Sequence, residues 1–202
     1  MLFRSDCLYF GTLIQRTPIP RQTLKRLLGA RERSLKFLDI NLRRDCYSAE
    51  TITESLEVAD MLKLNESEAE SIAALFNLSA RSLPELCEQM IRRWALTYCL
   101  VTLGERGVFA AACDFKKIYV PGYQVKVADT CGAGDAFSAG FINELFSYGS
   151  LTECCCFGNA LGAMVATQPG ATSEIDREQI ERFMGETHER IVEPGLKRYS
   201  VV

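Results

Sequence analysis

Short unbroken apolar runs alternate along this chain with longer stretches in which apolar positions recur every three or four residues. The short runs read as buried strands: Cys7–Gly11 (CLYFG), Leu35–Ile40 (LKFLDI), Met61–Leu64 and Tyr98–Thr102 (YCLVT). The longer stretches predict helices over 21–29, after Pro18 and Pro20, and over 49–58, 65–77 and 83–94. Strand and helix in alternation argue an α/β chain with a mostly parallel central sheet flanked by helices. Past Gly104 and Gly107 the pattern changes. Runs at 107–112, 117–120 and 123–128, separated by turn residues, predict antiparallel strands on one side of the sheet. Residues 129–134 read as a loop, and 135–147, 151–167 and 176–184 as three more helices. With no internal repeat and no low-complexity linker, one domain over 1–202 is expected. Residues 186–202 are polar and are expected to be loosely held.

Composition narrows the function. Hydrophobic residues make up 48% of the 202 and charged residues 24%, enough apolar material for a core. Lys and Arg number 23 against 26 Asp and Glu, a net charge of −3, which argues against a nucleic-acid partner held by phosphate neutralisation. No run approaches the roughly 18 apolar residues of a spanning helix, so no membrane partner is expected. Arg4 and Asp6 interrupt the apolar start Met1–Phe10, and no small-residue cleavage site follows, so it does not read as a signal peptide. Nine cysteines are an odd count in a chain too large to need staples, and with no export signal they place the protein in the reducing cytosol. Cys154, Cys155 and Cys156 are consecutive on a helix, about 100° apart, and cannot converge on one metal. They read as small buried residues, and with His188 the only histidine no structural zinc site is expected.

The chemistry concentrates in Asp129-Thr-Cys-Gly-Ala-Gly-Asp135-Ala-Phe-Ser-Ala-Gly140. Gly132 and Gly134 let backbone approach a ligand, and amides at the start of the following helix make an anion site. A carboxylate beside such a site repels phosphate. Asp135 makes sense there if a hydroxyl sits between carboxylate and phosphate and loses its proton as it attacks. The plainer reading is a tight glycine turn, with Asp135 favouring a helix N-terminus. No Gly-Lys-Ser/Thr follows, so this is not a Walker loop. Phe137 stands where a dinucleotide fingerprint needs its third glycine.

This segment resembles the C-terminal signature of the ribokinase-like (PfkB-type) carbohydrate kinases. Three further segments are similar to that family's motifs, in its order: Asp39-Ile-Asn41-Leu-Arg43, Lys63-Leu-Asn65-Glu-Ser-Glu68 and Thr102-Leu-Gly104-Glu-Arg-Gly107. The fructokinase-like branch is the most similar. The resemblance covers Cys7 to about Phe183 and implies the three-layer ribokinase-like fold. It also implies transfer of the terminal phosphoryl group of ATP to a sugar hydroxyl.

In that resemblance Asp135 is the base, and the amides of Gly132, Ala133 and Gly134 form the anion hole. Asn65 and Glu68 organise Mg²⁺ through waters, together with the nucleotide phosphates. Thr102, Gly104 and Gly107 line the nucleotide pocket, Asn159 lies near the adenine, and Arg43 lies near acceptor or phosphates. Plainer roles exist for several: helix capping for Asn65 and Glu68, a helix-surface polar group for Asn159, a solvated strand-end charge for Arg43. A K⁺ site is implied at Asp129, the Cys131 carbonyl and Gly170. The position that often supplies a hydroxyl there falls at Glu174, with Ser173 beside it, a departure from the pattern.

The family's opening Gly-rich segment and small β-sheet lid have no counterpart, so only its C-terminal two-thirds is matched. The chain reads as a fragment of a longer frame or as a natural truncation. A non-catalytic nucleotide-binding module and a nucleoside kinase are the alternative functions. The apolar strand Cys7–Gly11, without a neighbour on one side, leads us to expect self-association through an exposed sheet edge.

Overall fold

In the computed structural model, residues 5–30, 33–172 and 174–202 are described; Met1–Arg4 of the apolar start and Ser173 lie outside them. The chain, expected as one domain, divides into two compact units. Met1–Val101 with Ala111–Lys116 makes the first, and Thr102–Ala110 with Lys117–Val202 the second.

The first unit follows the predicted alternation: β1 (Cys7–Phe10), α1 (Pro18–Ala30), β2 (Leu35–Asp39), α2 (Ala49–Val58), β3 (Met61–Asn65), α3 (Glu66–Leu75), α4 (Leu83–Trp94) and β4 (Tyr98–Thr102). The strands lie in the order β1-β2-β3-β4, and β1–β2 and β2–β3 pair in parallel. Phe37, Leu38, Leu62, Leu64, Ile52, Leu56 and Ile72 are wholly buried where the sheet meets its helices. Helix α1 starts at Pro18 rather than at residue 21. Its two prolines occupy the first turn, where the missing amides have no intrahelical partner to lose. A 3₁₀ turn over Leu13–Arg16 precedes it. Strand β1 is less covered than its composition predicts: Tyr9 is 45% exposed, although its hydroxyl donates to the buried Asp39 at 2.8 Å.

The second unit holds β5 (Val108–Ala112) up to Ala110, and β6 (Lys117–Val120), β7 (Gly122–Tyr123), α5 (Ala133–Phe146), α6 (Leu151–Ala166), α7 (Arg177–Gly185) and β8 (Arg190–Ile191). The strand expected over 123–128 shrinks to Gly122–Tyr123, antiparallel to β8. Its partner is only two residues long. After the Gln124 amide has donated to the Glu189 carbonyl, the ladder has nothing further to pair with. Residues 186–202, expected to be loose, are tied down: β8 pairs with β7, a 3₁₀ turn runs over Pro194–Tyr199, and Leu196 is buried. The α/β architecture with a mostly parallel, helix-flanked sheet is the expected one.

Candidate active site

Gly132 is the hinge on which the second unit's site turns. It adopts φ +79, and a Cβ there would stand 2.7 Å from Ala171 Cβ and 2.9 Å from its backbone, so only glycine lets the loop lie against residues 167–172. Asp129 fastens the same two segments. Its Oδ1 accepts the Cys131 amide at 2.9 Å and its Oδ2 the Gly170 amide at 3.2 Å. Helix α5 begins at once, with the Ala136 amide on the Gly132 carbonyl at 2.8 Å. Asp135 is thus the third residue of α5, exposed, where the helix dipole favours negative charge. Ala133 donates to the Thr130 carbonyl at a long 3.3 Å, and the Gly132 amide has no partner among the described residues. A glycine turn that feeds a helix with a carboxylate in its first turn is the local structure expected of 129–135.

The Thr102–Gly107 segment is held by shape and by distant residues. Gly104 (φ +60) opens a 3₁₀ turn, Gly104–Arg106, into free space. Gly107 has φ +91, and a Cβ on it would fall 2.0 Å from the Val120 carbonyl oxygen, so its role is close backbone packing against β6. Arg106 pairs with Glu193, while the Tyr119 hydroxyl donates to the Arg106 carbonyl at 2.7 Å and accepts the Glu193 amide at 2.7 Å. Burial pushes the Tyr119 phenol above its ordinary value, which keeps it a proton donor. Neither Tyr119 nor Glu193 was legible as a site residue; nothing local marks either one. Asn159, half-buried on α6, donates its side-chain amide to the Pro121 carbonyl at 3.0 Å, an oxygen that also accepts from Arg190 at 3.1 Å. That contact is a structural tie.

In the first unit Asn65 and Glu68 form a reciprocal cap on α3. The Asn65 Oδ1 accepts the Glu68 amide at 2.9 Å, and Glu68 Oε2 accepts the Asn65 amide at 2.8 Å. The other oxygen of Glu68 reaches beyond the cap and accepts the Leu42 amide at 2.9 Å. The buried carboxylate therefore joins the end of β2 to the start of α3. Arg43, next along, is exposed.

Among the described residues no group of three or more His, Cys, Asp or Glu could hold a metal ion. Both Glu68 oxygens already accept amides, and Asn65 Oδ1 accepts from the Glu68 amide and the Ser67 hydroxyl. Hard oxygen donors engaged in this way suit Mg²⁺ held through waters, which it keeps readily, better than direct ligation. At the implied K⁺ site, Asp129, Cys131 and Gly170 do come together. Both Asp129 oxygens are spent on amides, and Glu174 is exposed.

A sequence profile of the pfkB family carbohydrate kinases matches residues 2–178. The chain belongs to that family. This pfkB-family chain is 32% identical over 157 residues to fructokinase-1 of Oryza sativa subsp. japonica, covering 72% of this chain and 47% of the rice protein. It is 31% identical over 126 residues to the ribokinase of Haemophilus influenzae, covering 62% of this chain and 40% of that one. It therefore spans under half the length of both relatives. The fold is also that of the fructokinase from Vibrio cholerae O395, solved with fructose, ADP and calcium ion bound. The TM-score is 0.78 over 91% of this chain and 62% of that one, at 23% identity. No helix among the described residues is long and apolar enough to cross a membrane.

Proposed function

We propose that this pfkB-family chain serves ATP-dependent phosphorylation of a sugar hydroxyl. The observation that carries the reading is Asp135, exposed at the third position of α5, directly after the left-handed Gly132 and the first-turn amides. In the step itself a carboxylate oxygen of Asp135 takes the proton from the sugar hydroxyl as that oxygen attacks the terminal phosphorus. The bond from that phosphorus to the ADP oxygen breaks, and ADP leaves. Amides of Gly132, Ala133 and Gly134 face the charge spreading over the transferred oxygens. Thr102, Gly104 and Gly107 border the nucleotide, and Arg43 meets acceptor or phosphate.

Mg²⁺, held through waters by Asn65 and Glu68, supplies charge neutralisation on the phosphates when bound. The odd count of nine cysteines in a chain of this size favours a cytosolic setting. A coupled ADP-release assay over a panel of sugars and nucleosides tests the reading. Sugar-dependent release supports it, nucleoside-dependent release makes the protein a nucleoside kinase, and calorimetric ATP binding without release makes it a nucleotide-binding module.

A further inference from the structure

One buried ion pair in the first unit has no part in the chemistry proposed above. Asp39 and Lys63 are register partners at the end of the β2–β3 pairing, 4% and 7% exposed, with Lys63 Nζ 2.8 Å from Asp39 Oδ2. The Tyr9 hydroxyl, from β1, donates to the same oxygen at 2.8 Å. Such a pair is a poor source of stability, because desolvating two charges offsets most of their attraction and an apolar pair of like volume holds a sheet as well.

Its location is what singles it out. Just beyond it β2 gives way to the turn that carries Arg43, while β3 runs two residues further to Asn65, the N-cap of α3. Bonds that hold this region include the Ile40 amide to the Lys63 carbonyl at 3.1 Å and the Leu42 amide to Glu68 at 2.9 Å, with the Thr12 hydroxyl on the Ile40 carbonyl at 2.7 Å. Between them Asn41 stands at φ +44, in the left-handed region that asparagine tolerates better than most residues. A charge-assisted contact has a set length and direction, whereas apolar contact is non-directional and tolerates sliding.

We propose that Asp39, Lys63 and Tyr9 are positioning residues, a clamp at the last register pair of β2 and β3 that sets the spacing between residues 40–43 and 65–68. The consequence for phosphoryl transfer rests on the kinase reading; the clamp does not.

Lys63→Met takes the ammonium away from the buried Asp39 carboxylate, so the melting temperature falls. Asp39→Asn with Lys63→Met removes both charges and returns the melting temperature to near that of the unaltered chain. In this paired variant, hydrogen exchange at the Leu42 amide becomes about tenfold faster while exchange in mid-sheet is unchanged, and calorimetric affinity for ATP with Mg²⁺ falls about tenfold. Unaltered exchange at Leu42 in a stable paired variant overturns the proposal. Faster exchange in the paired variant, with an unaltered chain that binds no ATP, upholds the clamp and overturns the kinase reading instead. If the paired variant does not fold, Tyr9→Phe decides, since it removes one hydrogen bond from an exposed ring. Faster Leu42 exchange supports the clamp and unchanged exchange overturns it.

Discussion

The carboxylate of Glu193 grips the guanidinium of Arg106 across 87 residues of sequence. The contact ties the C-terminal segment to the Thr102–Gly107 turn and makes that turn's geometry sensitive to a residue far outside any motif. Arg106 holds the Glu193 carboxyl below its ordinary value of 4.5. In the unfolded chain Glu193 returns to that value. The stability the pair contributes is therefore complete above 4.5 and is lost as pH falls through the depressed folded value.

Glu193→Gln removes that contribution at every pH. We expect its melting temperature to lie below that of the unaltered chain at neutral pH, with the gap closing as the pH is taken below 4.5. Thermal melts along a pH series check this. A gap that persists unchanged in acid means that the ion pair is not its source. Both residues are partly exposed, so the gap is small and narrows in high salt.

Asp135→Asn keeps the shape of the residue and removes its proton acceptor. In the sugar-dependent ADP-release assay kcat is expected to fall on the order of 10²–10⁴-fold with ATP binding retained. Full activity in this variant excludes Asp135 as the base.

The two glycines of the Thr102–Gly107 turn predict opposite tolerance. Gly104→Ala meets nothing within 4 Å and bears only its positive φ, a loss of about 1–2 kcal/mol. Gly107→Ala drives a methyl group into the Val120 carbonyl oxygen at 2.0 Å and should cost more than about 3 kcal/mol or prevent folding. Denaturant titration of the two variants measures the difference, and equal losses would refute the packing role given to Gly107.

Strand β1 ends the strand order of the first unit, and its far edge is expected to recruit a second copy of the chain. Light scattering at tens of micromolar should show association that Leu8→Lys weakens. Phe10 on the same strand is 5% exposed and belongs to the core, so a lysine there would unfold the chain and report nothing about the edge. A sharp monomer peak with a cooperative melt would show the edge to be closed by other means.

What the sequence determined by itself was everything carried by near neighbours. Apolar periodicity placed most helices and strands, and the run from Asp129 to Gly140 announced a glycine loop feeding a helix with a carboxylate in its first turn. It did so because backbone conformation and helix capping depend on residues within one turn of each other. The same holds for the reciprocal cap of Asn65 and Glu68, three residues apart. Tertiary structure decided whatever depends on which distant segments meet. In sequence Glu68 and Glu193 are two acids among 26, and nothing local says that one reaches Leu42 and the other Arg106. Asn159 reads as a surface or ligand-facing amide until Pro121 presents its carbonyl. The alternation over 123–128 is a strand pattern, yet a strand needs a partner, and the segment 190–191 pairs only with Gly122 and Tyr123. Side-chain type sets what a group can bond. The packed chain sets which partner lies within 3 Å, and burial makes that partner obligatory.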